Sequence, residues 1–449
     1  MIRPRRAGTD AARRALRTIQ LIQVSRKASA MRPTSTASRR IAAAAALLIV
    51  AGTATGCSTA SSNSASSAAS GGTYTIWDPY PQFDNSSAWV QLLDKCGSSA
   101  GVSIKRTAYD TTELTSKELL AAQQGVSPDV LIVDNPVVST LASAGVLTTT
   151  AQTNVSTSAV QSNLLGAGVL NGKTYGIPIG ANTLALYYNK NILTAAGVDP
   201  TSITNWATLT AALAKVKAIG KTGITFSAIG TEEGSFQFEP WFWGAGADLT
   251  SLDSSQAQAA LSLWTGWVKD GYAPNSVLGD TQPDNWQEFA AGDTAFSENG
   301  TWELSAAQKG TFPFGILDIP AENGGAAPTP TGGEFVTVPV QSSTARYATT
   351  EKLVSCLTNA GNAYTTDTTL SYVGASSAVQ AEQAKNTPAL VPWITAVHTA
   401  KGRTSDNLGT KYPKISQAMW TAIQASLTGQ SSPSAALSTA QSAAQSALG

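Results

Sequence analysis

An α/β protein of two lobes, each a central β-sheet flanked by helices, is what the sequence predicts, on three observations. A chain of 449 residues, 42% of them hydrophobic, exceeds the size at which one core stops growing. Strand-like runs alternate with helical ones, the order that builds a largely parallel sheet. The stretch from Lys173 to Lys190 reads as two extended segments joined by a short polar step, Gly180-Ala181-Asn182-Thr183. Pro178 suits a strand end, Leu184-Ala185-Leu186-Tyr187-Tyr188 carries strand chemistry, and Gly180 frees the backbone between them. A chain crossing there leaves one lobe and enters the other.

The first 56 residues stand apart in charge. Of the chain's 29 basic and 29 acidic residues they hold 11 and 1, which leaves 18 basic against 28 acidic for the rest. An acidic body argues against nucleic acid as a partner, because neutralising phosphates needs a basic surface. Arg39-Arg40 precede the apolar run from Ile41, which is too short for a comfortable membrane span and ends in small residues, as a secretory signal does. Met31 gives such a signal its ordinary length as an alternative start. Ala54-Thr55-Gly56-Cys57 resembles a bacterial lipobox, which implies a lipid on Cys57 and a location outside the cytoplasm, anchored to the cell membrane. Residues 57–72 are nearly all Ser, Ala, Thr, Asn and Gly and read as a tether.

The folded body opens with the strand Tyr74-Thr75-Ile76-Trp77, broken by Asp78-Pro79-Tyr80-Pro81. Trp89 to Cys96 has helical spacing, Val102 to Tyr109 is a strand and Glu113 to Gln124 an amphipathic helix. Pro128 to Val133 is a buried strand closing at Asp134-Asn135. Ligands of such sheets sit beyond the carboxyl ends of the strands, which points to Tyr80, Asp134 and Asn135. Past the hinge, Thr204-Asn205 caps a helix through Val216, and Gly223 to Ile229 is a strand. Phe236 to Gly246 concentrates aromatics around Glu239, with Pro240 placed in a first helical turn. Rings beside an acid suit a sugar, which offers an apolar face for stacking and hydroxyls for acceptors. Leu261 to Val268 is a helix stopped at Gly271, Trp286 to Gly292 a short helix, and Thr294 to Ser297 a strand. Glu351 to Leu357 and Tyr364 to Val373 follow, then a helix ending at Leu427 and one exposed helix from Ser431.

Several of these blocks, in order, resemble the extracellular solute-binding proteins of bacterial sugar importers of the ABC type. They are Tyr175-Gly176-Ile177-Pro178 with Leu186-Tyr187-Tyr188-Asn189-Lys190, then Asn299-Gly300-Thr301-Trp302-Glu303, then Gly332-Gly333-Glu334 through Pro339 as a return crossing. The resemblance implies a two-lobed periplasmic-binding-protein fold of type II-like form with a multi-crossing hinge. Residues 73–181 and 334–394 would form the first lobe, 182–333 and 395–449 the second, with a third crossing near Thr395. It implies a saccharide held between the lobes, with Trp302 and Trp241 as stacking floors. Glu239, Asn182, Asp134 and Asn135 would take hydroxyl hydrogen bonds, and Tyr80, Gly333, Glu334 and Arg403 complete the expected set. The partners implied are the permease's transmembrane subunits, with the receptor a monomer, no cofactor and no catalytic step.

Two alternatives stay open: a phosphorylated polyol such as a glycerophosphodiester as ligand, and a glycoside hydrolase using Glu239 and Glu334 as its carboxylates. Absent chemistry narrows the field. His398 is the single histidine, which excludes a histidine triad and a multi-histidine metal site, and no phosphate-binding glycine loop opens a helix. With Cys57 accounted for, Cys96 and Cys356 are an even pair in an exported chain, where a disulfide is the default expectation.

Overall fold

The computed structural model describes residues 72–404 and 408–448. The expectations for the signal segment, the Cys57 lipid and most of the tether lie outside the described residues.

Strands and helices alternate at the start: β1 (Thr73–Asp78), α1 (Ala88–Ala100), β2 (Ser103–Ala108), α2 (Thr111–Gln124), β3 (Val130–Asp134) and α3 (Asn135–Ser143). Local chemistry sets their ends. The Ser87 side chain accepts the Val90 N–H at the start of α1, and Gly101 stops that helix at φ 76°, where other residues are strained. A small hairpin of β4 (Val169–Leu170) and β5 (Lys173–Thr174) leads into β6 (Gly176–Pro178). The chain then crosses to β7 (Leu184–Asn189), α4 (Trp206–Ala218), β8 (Thr222–Thr225), α5 (Glu232–Gly244), α6 (Ser255–Lys269), α7 (Gln282–Ala290), β9 (Thr294–Gly300) and β10 (Phe314–Leu317). It returns as β11 (Glu334–Thr337), followed by α8 (Tyr347–Thr358), α9 (Ala360–Leu370), α10 (Ser377–Asn386), α11 (Val391–Thr399), α12 (Tyr412–Leu427) and α13 (Pro433–Leu448).

Two sheets result. The first has the order β2-β1-β3-β11-β6, parallel from β2 to β3, with β11 antiparallel to both neighbours. The second, β10-β7-β9-β8, is mixed. Each is covered on both faces, because alternate residues point to opposite sides. In β1, Tyr74 and Ile76 enter one core while Trp77 packs on the other. In β7, Leu184 and Leu186 face the large aromatic core and Ala185 and Tyr187 face the opposite cluster. Pro178 ends the edge strand β6, where its missing N–H breaks no ladder.

Cys96 of α1 and Cys356 of α8 are bonded, S–S 2.06 Å, joining the first described helix to the first helix after the return crossing. The sequence expectations differ from the structure in four places. The strand from Gly223 stops at Thr225. Pro240 lies inside α5, eight residues past its start. The tail helix α13 is not exposed: Ala436, Leu437, Ala440 and Ala444 are buried in the core shared with α12, since small residues let the two helices approach closely. The chain also leaves the first core before Thr395. From Val373 onward, Ala375, Leu390, Trp393 and Val397 pack on Tyr187 and Trp286 beside the second sheet.

Candidate functional site

The strand ends line up across the crossing. Asp78, Ala108 and Asp134 close β1, β2 and β3 on one edge, and Glu334, which opens antiparallel β11, is paired with Asp134. Opposite them, Gly300 at the end of β9 is paired with Leu184 at the start of β7. Between the two edges, four stretches of chain are bridged by backbone hydrogen bonds. Asn182 and Gly332 exchange both of theirs, at 3.2 and 2.9 Å, Ala181 pairs with Val373, and Thr331 N–H donates to Lys401 O at 2.9 Å. Gly333 is required here twice over: its φ is 108°, and a Cβ would stand 2.6 Å from Gly180 O. Gly180 is required for closeness alone, since a Cβ would meet Asp367 Oδ1 at 2.2 Å.

Arg403 sits at the centre of this junction, 2% exposed. Its Nη2 donates to Asp134 Oδ1 at 2.9 Å and its Nη1 to Glu232 Oε1 at 2.7 Å, so one guanidinium ties the end of β3 to the start of α5. Asn135 Oδ1 accepts from Nη2 as well, and the guanidinium lies 4.7 Å from the centre of the Phe236 ring. Tyr412 Oη is 2.6 Å from Glu232 Oε1 and 2.9 Å from Glu239 Oε1. A phenol has one hydrogen, and the ion-paired Glu232 takes it, so Glu239 must hold a proton of its own and donate back. Burial pushes the Glu239 carboxyl well above its ordinary value, more strongly than Arg403 pulls it down, in keeping with that proton.

A second group forms on the first edge. Tyr80 and Tyr372 both donate their hydroxyls to Glu334 Oε2, at 2.9 and 2.8 Å. Burial, with Asp134 adding to it, raises Glu334 to about 7 against the pull of the two phenols. On the second edge, Trp302 is half-buried in the turn after β9, its ring centre 6.5 Å from that of Phe236. Its indole N–H has no hydrogen-bond partner among the described residues. Asn182 is 5% exposed and its Oδ1 is likewise without a partner.

The structure thus brings together Tyr80, Asp134, Asn135, Asn182, Trp302, Glu334 and Arg403, and corrects three assignments. Trp241 is wholly buried, packed edge-on against Trp267 at 5.0 Å, and its indole N–H donates to the buried Glu298. It is core, not a stacking floor. Glu239 has no exposed surface and is engaged by Tyr412, so it supports Glu232 and Arg403 instead of meeting a ligand. Gly333 serves the crossing backbone, and its carbonyl accepts the Asn135 N–H. Sequence reasoning missed Glu232, Tyr372 and Tyr412. Glu232 could have been found from its place in the first turn of a helix after a strand; the two tyrosines carry no local signal.

A family model described as bacterial extracellular solute-binding protein matches residues 91–392. The chain belongs to that family. A protein of Brucella abortus (strain 2308) named only as a binding protein is 31% identical over 176 residues, 37% of this chain and 42% of its own length. The chain therefore spans less than half the length of the curated relatives it matches. Among solved structures, the GacH receptor of Streptomyces glaucescens GLA.O, also solved with acarbose, has a TM-score of 0.73 at 23% identity, over 84% of this chain and 98% of that one. UgpB from Mycobacterium tuberculosis, solved with glycerophosphocholine, has a TM-score of 0.71 at 21% identity, again over 84% and 98%. Both are two-lobed binding proteins of the fold seen here. Their ligands differ in chemical class, so the shared fold does not choose between them.

Proposed function

We infer that this protein is the extracytoplasmic receptor of an ABC-type importer that captures a neutral saccharide between its lobes and delivers it to the permease. The observation that carries the reading is the pairing of an available aromatic with a spent cation. Trp302 offers a half-exposed ring and an unpartnered indole N–H, the two things a sugar face and a hydroxyl use. Arg403, by contrast, is held by Asp134 and Glu232. A phosphodiester would have to break that pairing and face the two acids it displaces, Asp134 and Glu232, at a cost an uncharged ligand does not meet. For that reason the saccharide is favoured over the glycerophosphodiester.

Binding needs no reaction, and the carboxylates are committed to hydrogen bonds within the protein. In this reading residues 73–181 and 334–372 form the first lobe and residues 182–333 with the segment from Val373 onward the second, closing about the Gly180–Thr183 and Thr331–Gly333 crossings. Cys57 carries the lipid that holds the receptor, as a monomer, at the membrane. Among the described residues no helix is long and apolar enough to cross a membrane.

A thermal-shift screen of neutral mono- and oligosaccharides beside glycerophosphocholine tests the reading. A ligand that binds only the folded form stabilises it by about 2.7 kcal/mol at a hundred times its Kd. A neutral saccharide should raise the melting temperature; a response to glycerophosphocholine alone would overturn the assignment.

A further inference from the structure

The two phenols on Glu334 come from distant parts of the chain, and each is fixed from behind by a side chain with no other task in the site. Tyr80 lies two residues beyond β1, in the loop that leads to α1. Arg106 of β2 is paired with Ile76 across the sheet, so its side chain shares a face with Ile76 and Asp78. Its Nε and Nη2 donate to the two carboxylate oxygens of Asp78, at 2.5 and 2.8 Å. Nη2 gives its second hydrogen to Tyr80 O, and Nη1 donates to Phe83 O. Asp78 accepts the Tyr80 N–H in return, at 3.0 Å. With Asp78 wholly buried and the Arg106 side chain 14% exposed, these bonds are spent on holding the loop.

Tyr372 lies just before the crossing at Val373, which exchanges both backbone hydrogen bonds with Ala181. Gln383 of α10 is buried, accepts the Gly374 N–H at 2.9 Å and donates to Tyr372 O at 2.7 Å. One amide thus spans the residues on either side of Val373. The path from Arg106 or Gln383 to Glu334 runs through a phenol, and both phenols end on the same oxygen, Oε2.

We propose that Arg106 and Gln383 are positioning residues of the ligand site, holding the Tyr80 and Tyr372 hydroxyls on Oε2 of Glu334 so that its Oε1 is the oxygen presented to a hydroxyl of the ligand. The proposal rests on the saccharide reading above and adds to it what aims the acid. Two donors occupy both lone pairs of Oε2, so a proton carried by Glu334 sits on Oε1. Asp134, the β3 partner of Glu334, is the other acid facing it. A carboxyl aimed before the ligand arrives need not be ordered when it binds.

The test follows the Glu334 carboxyl carbon by NMR in the full chain labelled at glutamate, with Glu334→Gln giving the assignment. Burial and then Asp134 raise this carboxyl, and each phenol pulls it down. Losing one phenol should move the midpoint of its pH titration up by about one pH unit. Arg106→Lys keeps the charge but not the fork, and should give the same upward shift as Tyr80→Phe, with the double variant shifting no more than either alone. Gln383→Met, Tyr372→Phe and their double should behave likewise. A residue that only stabilises the fold lowers the melting temperature and leaves the midpoint of the folded protein where it was. An unmoved midpoint, or shifts that add in the double, would overturn the role of that residue. Gln383→Met, which strands no charge, carries the test if Arg106→Lys unfolds. Glucose, galactose, maltose and maltotriose are then added to the parent. A Glu334 resonance that none of them moves counts against the saccharide reading alone, because the variant shifts are read with no sugar present.

Discussion

Arg403 and Asp134, 269 residues apart in the chain, meet at 2.9 Å across the junction of the two lobes. The same guanidinium reaches Glu232, so a single buried cation holds an acid at the end of β3 and another at the start of α5. Removing it leaves two partly buried carboxylates uncompensated, which typically costs about 3–5 kcal/mol. Arg403→Ala should therefore lower the urea midpoint markedly, and Arg403→Lys should recover only part, because an ammonium lacks the planar fork that serves both acids. An alanine variant within about 0.5 kcal/mol of the parent would show that the network is solvated and idle.

The bond between Cys96 and Cys356 spans 260 residues, enclosing nearly the whole second lobe. Chain-entropy reasoning for a loop of that size gives about 5.6 kcal/mol of stabilisation, through restriction of the unfolded state. Reduction, or the paired Cys96→Ser and Cys356→Ser substitutions, should lower the melting temperature by several degrees. Mass spectrometry of alkylated, unreduced protein checks the bond itself, and two modified thiols in the native exported chain would contradict it.

Glu334 binds its proton more tightly in the folded state than in the unfolded chain, because burial and then Asp134 raise it from 4.5 to about 7. The stability it contributes is complete below about pH 4.5 and is lost as pH rises through about 7. Glu334→Gln keeps an acceptor for Tyr80 and Tyr372 but has nothing to titrate. Its stability should fall less than the parent's between about pH 4.5 and 7. Glu118 and Glu303, also raised to about 7 by burial, keep part of the slope. Superimposable pH profiles would mean that Glu334 is ionised throughout.

Cys57 predicts a cellular outcome. Cys57→Ala should move the protein from the membrane fraction to the medium, or leave it unprocessed. Equal amounts of trimmed protein in the membrane fraction would contradict the lipid anchor.

Much of this was legible in the sequence, and the rest was hidden for physical reasons. Strand ends could be read from Asp78 and Asp134, and the crossing from Gly180, because turn chemistry and periodicity are local. Which face of α5 meets the core is not local. Its aromatic density suggested a sugar site, yet Phe238, Trp241 and Phe242 are all wholly buried, and only Phe236, near the helix start, lies beside Trp302 and Arg403. Glu239 looked like a ligand contact because its partner Tyr412 lies 173 residues away. The Ala- and Ser-rich tail looked solvated because small side chains hide how closely two helices pack.

The most direct test is calorimetric titration of the neutral saccharide that raises the melting temperature most, into the parent, Trp302→Ala and Trp241→Phe, at low and high salt. The account predicts at least about tenfold weaker binding for Trp302→Ala, unchanged affinity with lower stability for Trp241→Phe, and a parent affinity indifferent to salt. Unchanged binding by Trp302→Ala, or a parent affinity that collapses as salt rises, would contradict it.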